Sequence, residues 1–246
     1  MISRLMAVTS SVSSSVWGFL ARRAWFVEDE IGGLAQLVPR GGTCLDVGAE
    51  YGLYTHALAA LVGGGGQVHS VEPLPGVHWI LSCGVVLAGR RNVRCHRLAL
   101  GERAERGVLS LPRRHGLPVH GRAFLTSGAH GQGPNREFVS SRLVPVEVLT
   151  LDQLCAREHV ERLDFVKADV EGHEFAVLKG GEATLSAHHP SLLLEIEDRH
   201  LAKYGADAQA VIGWLAERGY RMRRWVGGAW RPAGQVVSAG RNYLFM

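Results

Sequence analysis

LDFVKADVEGHEFAVLKGG, residues 163–181, and the nearby PSLLLEIE, residues 190–197, say more about the fold than any other stretch of this chain. Each holds an apolar run that leads into carboxylates, and a helix-patterned segment lies between the two runs. Strands buried on both faces of a parallel sheet read as continuous apolar runs of this kind. In an open α/β sheet, ligands bind just beyond the carboxyl ends of the strands. Asp169, Glu171, His173 and Glu195 stand at those ends and are therefore candidates for chemistry rather than for solubility.

The pattern extends outward on both sides. Strand-like residues 43–47 stop at Gly48, a helical pattern covers 51–62, and Gly63 to Gly66 end it. A second strand, 67–71, ends at Glu72-Pro73, and a helix (77–88) and a third strand (93–98) complete a βαβαβ series. Strands alternating with helices at this interval predict a parallel, doubly wound sheet. Periodicity is lost over 112–142, a Gly-, His-, Arg- and Pro-rich stretch that reads as an irregular insert or lid. Strand 143–148, helix 151–156, a helix near 207–218 and strands 220–225 and 242–246 follow, the last antiparallel. Residues 1–40 read as a helical lead-in, and 41–246 as one domain.

Composition narrows the function. The 246 residues are 46% hydrophobic and 20% charged, typical of a globular chain. Its 24 arginines and three lysines leave a net charge of only +4 and form no aromatic-interleaved patch, which argues against nucleic acid. No stretch approaches the roughly 20 apolar residues of a membrane span. The N-terminus resembles a signal peptide only faintly, its apolar region being broken by serines and followed by Arg22-Arg23. Cys44, Cys83, Cys95 and Cys155 lack CxxC or metal-ligand spacing and read as buried thiols, so a cytoplasmic location is expected. Trp17, Phe19, Trp25 and Phe26 offer a surface on which a second subunit could pack.

The turn Asp46-Val47-Gly48-Ala49-Glu50-Tyr51-Gly52 has a glycine at each end of a strand-to-helix junction. Gly48 lets the backbone bend and a ligand approach, and Gly52 lets the helix begin under it. Glu72 closes the second strand, where an acid commonly holds two ribose hydroxyls. A pyrophosphate would be repelled by Asp46 and Glu50. A ligand with an ammonium and a sulfonium would be attracted, which favours S-adenosylmethionine over a nicotinamide dinucleotide.

With LDVGAEYGLYT, VEPLP, LALGE, LTLDQL, DFVKADVEGHEFAVLKGG and PSLLLEIE in place, the chain resembles the FkbM family of S-adenosylmethionine-dependent methyltransferases over 43–246. The resemblance implies a class I, Rossmann-like α/β fold with a mostly parallel, doubly wound sheet and an antiparallel C-terminal strand. It also implies that Pro73, Ala99 and Leu100 lie near the adenosine. It implies O-methylation of a hydroxylated small molecule such as a carbohydrate, glycosylated lipid or natural product. The family usually has Asn where Glu50 stands.

A sugar hydroxyl is a poor nucleophile while protonated, so a general base helps. Asp169 is the first candidate and His173 the second, because imidazole titrates near neutrality. In an extended chain Asp169, Glu171 and His173 share one side, and Gly172 permits a turn that aims them inward. Glu195 and Glu197 alternate on their strand, so one of them, Glu195, is expected in the pocket. His115, His120 and His130 read as solvated loop residues, Lys167 as a structural strand-end residue. A magnesium or manganese ion on Asp169, Glu171, His173 and Glu195 is an alternative to a protein base, although the spacing matches no metal motif. A nicotinamide-dependent oxidoreductase and a non-catalytic cofactor-binding subunit are the rival readings.

Overall fold

The computed structural model describes residues 28–246 apart from 132–134, 136, 139, 238 and 239. The proposed helical lead-in therefore lies largely outside the described residues; its described end is a 3₁₀ helix, Asp29–Gln36.

The main sheet has eight strands. In chain order its first half contains β1 (Thr43–Val47), α1 (Leu53–Val62), β2 (Gln67–Val71), α2 (Pro75–Leu87) and β3 (Val93–His96). The chain then enters a second sheet: β4 (Ala99–Leu100), β5 (Glu105–Arg114), β6 (Leu117–Pro118), β7 (Phe124–Leu125) and β8 (Ser140–Leu149). It returns through α3 (Leu151–Arg157), β9 (Phe165–Ala168), α4 (Glu174–Lys179), α5 (Glu182–His188), β10 (Ser191–Glu195), α6 (Asp198–Leu201) and α7 (Ala208–Glu217). β11 (Met222–Val226), β12 (Ala229–Pro232) and β13 (Asn242–Phe245) close the fold.

The strand order is β12-β11-β13-β10-β9-β1-β2-β3. β10, β9, β1, β2 and β3 pair in parallel, and β13 inserts antiparallel between β10 and β11. Winding reverses between β1 and β9, so their carboxyl ends flank the crevice where such sheets bind ligands. Both faces are covered, which is why the strands alternate without a polar side. Cys44, Val68, Phe165, Leu193 and Leu244 face α1 and the 3₁₀ helix residue Leu34. Leu45, Val47, Val71, Val166, Leu192 and Leu194 face α3, α4, α5 and α7. Among the described residues, no helix is long and apolar enough to cross a membrane.

The stretch 112–142 is strand only in part, at the end of β5, in β6 and β7 and at the start of β8; β5 runs through Arg114 and pairs antiparallel with β8 over nine residue pairs, Glu105↔Val148 to Arg113↔Ser140. Likewise the third strand ends at His96, and Ala99-Leu100 pair in parallel with Val148-Leu149 of the second sheet. This sheet packs Leu109, Leu111, Leu125, Val146 and Val148 on Leu74 and Val77, which sets it over the carboxyl ends of the main sheet.

Candidate active site

A cavity of about 270 Å³ opens at the reversal point, between the carboxyl ends of β1, β2, β9 and β10 and the second sheet. Ten of the residues proposed from sequence line it: Gly48, Glu50, Glu72, Pro73, Ala99, Leu100, Asp169, Glu171, His173 and Glu195.

The β1 turn builds one side. Gly48 has φ +78°, and a Cβ there would fall 1.9 Å from the Asp169 carbonyl oxygen. Glycine is thus required because the β1 and β9 turns touch. Gly48 N and Ala49 N both donate to Val71 O at 3.0 Å. Glu72 Oε2 accepts from Glu50 N at 3.1 Å and its Oε1 from Leu74 N at 2.8 Å. A carboxylate offers about four acceptor sites, so two remain for a ligand diol. Burial pushes the Glu72 carboxyl up to about 7. Glu50 sits at φ +46°, a region in which Asn is several-fold enriched. Burial, then the charges of Asp169 and Glu171, raise its carboxyl.

Three proposed cofactor residues stand back from the cavity. Asp46 is only 2% exposed. As the fourth residue of a five-residue strand it points into the α1 layer, where its Oδ2 accepts from Thr55 Oγ1 at 2.6 Å. Burial raises it to about 6. Gly52 (φ +90°) is required by packing, because a Cβ would meet Leu81 Cδ1 at 2.6 Å. Tyr51 reaches across the mouth instead, its hydroxyl 2.8 Å from His120 Nδ1. His120 starts a 3₁₀ helix, His120–Arg122, that lines the cavity. The reading of His120 as a solvated loop residue is corrected accordingly.

The β9 turn builds the opposite side, and it is not extended. Glu171 (φ +57°) and Gly172 (φ +101°) are both left-handed, so Asp169, Glu171 and His173 share no face. Buried Glu174 holds this turn, its Oε1 accepting from Val170 N at 2.8 Å and Gly172 N at 3.3 Å. Nothing in the sequence distinguished that acid from its neighbours.

The four acidic-cluster candidates consequently differ in surroundings. Asp169 is partly open to the cavity, with Lys167 Nζ 3.4 Å from its Oδ2. Glu195 lines the cavity beside Asp169; burial first and then the Asp169 charge push its carboxyl far upward. Lys167 is buried beneath the pair and donates to Asn242 Oδ1 at 2.9 Å. Burial alone would lower its pKa, but the charges of Asp169, Glu28, Glu195 and Asp46 outweigh that and raise it. Glu171 is engaged elsewhere: its Oε2 lies 2.7 Å from His200 Nδ1 and 3.9 Å from both Arg122 Nη1 and Lys203 Nζ. His173 is buried with its ring 4.7 Å from that of Tyr204. Burial pushes its pKa down to about 4, which removes the near-neutral titration that recommended it as a base.

Other residues were missed. Glu197 lines the cavity together with Glu195, because the strand ends at Glu195 and Glu197 already caps α6. Arg199 and Arg241 pair with Glu197. Arg122 donates to His200 Nε2 at 3.1 Å, and Glu28 accepts from Tyr54 Oη and Asn242 Nδ2. Glu197 is part of PSLLLEIE, where strand alternation sets it aside; Arg199 and His200 carry a signal in their closeness to its end.

Metal ligation finds no support at the cavity. Among the described residues, one His/Asp/Glu group has donors close enough together, His69, His96 and Glu158 under α3. There Glu158 already binds Arg94 at 3.0 Å and Arg157 at 3.3 Å, an unfavourable field for a cation.

The cavity suits S-adenosylmethionine. It offers a half-free buried carboxylate at Glu72, apolar walls from Leu74, Leu100 and Leu109, and the Glu50 carboxylate for positive charge. An FkbM methyltransferase from Methylobacillus flagellatus KT superposes with TM-score 0.50 at 16% identity, covering 83% of this chain and 43% of that one. A SAM-dependent methyltransferase from Aquifex aeolicus gives TM-score 0.45 at 16% identity, covering 94% and 96%. A SAM-dependent O-methyltransferase from Thermotoga maritima gives 0.44 at 14%, covering 91% and 66%. The chain therefore spans less than half of the first protein and about two thirds of the third. No curated protein sequence matches it. The FkbM methyltransferase domain matches residues 46–222, most of the chain, and the chain belongs to that family.

Proposed function

We propose that this chain transfers a methyl group from S-adenosylmethionine to a hydroxyl oxygen of a small molecule, in the class of carbohydrates, glycosylated lipids or natural products. One observation carries the reading: Glu72 and the Gly48 turn meet the Asp169–Glu195 pair across a single cavity at the sheet's reversal point. The first two suit a nucleoside, and the pair suits a proton-accepting role.

When bound, S-adenosylmethionine supplies an electrophilic methyl on a sulfonium. Glu72 accepts from the ribose diol with its two remaining acceptor sites, and the apolar wall of Leu74, Leu100 and Leu109 excludes water. Asp169 would accept the acceptor's hydroxyl proton as the O–methyl bond forms and the methyl–sulfur bond breaks, leaving the neutral thioether S-adenosylhomocysteine. Glu195, its carboxyl pushed upward by burial and by Asp169, shares the pair's negative charge and orients Asp169, and buried Lys167 keeps the pair from carrying uncompensated charge. Methyl transfer is in-line, so most of the remaining work is alignment. The second sheet and the Tyr51–His120 contact close the site over the reactants. The four cysteines are all free thiols, in keeping with a cytoplasmic enzyme.

A methyl-transfer assay over hydroxylated acceptors, run with and without EDTA, tests this reading. Turnover insensitive to EDTA is expected. Asp169→Asn should lower turnover by about 10²–10⁴-fold, the usual contribution of a general base, with S-adenosylmethionine affinity nearly unchanged. Loss of turnover in EDTA would contradict the protein-base assignment, as would an Asp169→Asn variant of full activity.

A further inference from the structure

α2 carries no charged side chain along its length. Its Val77, Leu81 and Val85 are buried against the sheet. Its other face bears Trp79, Ile80, Val86 and Leu87, exposed by 67%, 47%, 76% and 88%, with half-buried Cys83 between them. The spacing 79, 80, 83, 86, 87 makes one continuous stripe. A helix apolar all round is normally covered all round, and an exposed apolar patch marks an interaction site.

The surrounding charge indicates what covers it. From Leu74 to Gly101 the sequence holds Arg90, Arg91, Arg94 and Arg97 and no Asp or Glu. Arg94 is taken by Glu158 at 3.0 Å; Arg91 and Arg97 are exposed and Arg90 half-buried. α2 returns through a short turn to β3, the edge strand of the sheet. Arg90 and Arg91 thus follow one end of the helix, and Arg97 follows the far end of the strand it packs on. A twofold contact with a second copy would set this patch against itself, arginines facing arginines with no carboxylate of the patch to answer them.

We propose that the α2 face docks peripherally on an anionic lipid surface. Trp79, Ile80, Val86 and Leu87 enter the headgroup boundary, where tryptophan is favoured, and Arg90, Arg91 and Arg97 meet lipid phosphates. Because α2 follows directly on Glu72, Pro73 and Leu74 of the cavity wall, docking holds the cavity close to the headgroups.

The full chain should co-sediment with phosphatidylcholine vesicles containing phosphatidylglycerol, and not with phosphatidylcholine alone. Binding should weaken as salt rises. Arg91→Ala should weaken it about fivefold. Trp79→Ala and Leu87→Ala should each weaken it about tenfold or more, with unchanged circular dichroism and unchanged methyl transfer. Failure to bind the anionic vesicles overturns the proposal; a dimer in sedimentation that Leu87→Ala dissociates would then assign the face to a second copy. Vesicle binding indifferent to Trp79→Ala and Arg91→Ala would overturn it equally.

Discussion

Gly48 and Glu50 show how closely backbone geometry constrains the β1 turn. Gly48 combines φ +78° with a backbone oxygen where a Cβ would lie. Gly48→Ala should cost at least about 3 kcal/mol and lower Tm by about 6–12 °C, read by calorimetric unfolding. Glu50 holds φ +46° with its carboxylate in an acidic field. Glu50→Asn should raise Tm by about 2–4 °C, since Asn tolerates that φ and removes a like charge. Glu174 gives a pH signature. Its carboxyl is raised from 4.5 to about 7, chiefly by burial. The folded state therefore holds this proton more tightly than the unfolded chain does. That contribution is complete below pH 4.5 and is lost as pH rises toward 7. Tm of the native protein relative to Glu174→Gln should accordingly fall across that window; a constant difference would refute the buried-acid account. Individual side chains were also where sequence reasoning was least secure. Asp46 and Glu72 both stand near strand ends and look alike in sequence, yet Asp46 lies within β1 against the helix layer, whereas Glu72 falls just past the end of β2, at the rim. Glu171 and His173 were assigned on an extended chain, and two left-handed residues in succession invalidate that assumption.

Among the elements, the βαβαβ half was legible because apolar runs, glycine stops and helical spacing are local signals. The bounds expected for β1 and β2 match those observed. Of the second sheet only β8 had such a signal, which reads as a strand over 143–148. β5, ERGVLSLPRR, mixes arginines and a proline into its strand, and its partner β8 lies some 25 residues further on. Long-range antiparallel pairing of that kind leaves no periodic trace. Yet this sheet supplies His120, Arg122 and Phe124 to the cavity roof. Arg122 contacts His200, and Tyr204 Oη donates to Leu125 O at 2.7 Å, so the roof is tied to the segment that follows β10. Tyr51→Phe removes one exposed hydrogen bond to the roof, about 1 kcal/mol. It should raise KM for S-adenosylmethionine about fivefold and leave kcat nearly unchanged in steady-state assays. An equal fall in kcat would give Tyr51 a part in the chemical step.

For the molecule as a whole, the two acidic strand ends that first suggested an active site lie beside the β1 turn because β9 and β10 continue the sheet from β1 in register. That topology brings the Gly48 turn and Glu72 together with Asp169 and Glu195, although Glu72 and Asp169 are 97 positions apart in sequence. On the proposed function, this junction binds S-adenosylmethionine through Glu72 and uses Asp169 on the acceptor. Isothermal titration of S-adenosylmethionine into the native protein, Glu72→Ala and Asp169→Asn tests it most directly. Micromolar-to-millimolar binding by the native protein and by Asp169→Asn is expected, with a loss of about tenfold or more in Glu72→Ala. Absence of binding to the native protein, or binding of a nicotinamide dinucleotide in its place, would contradict the account.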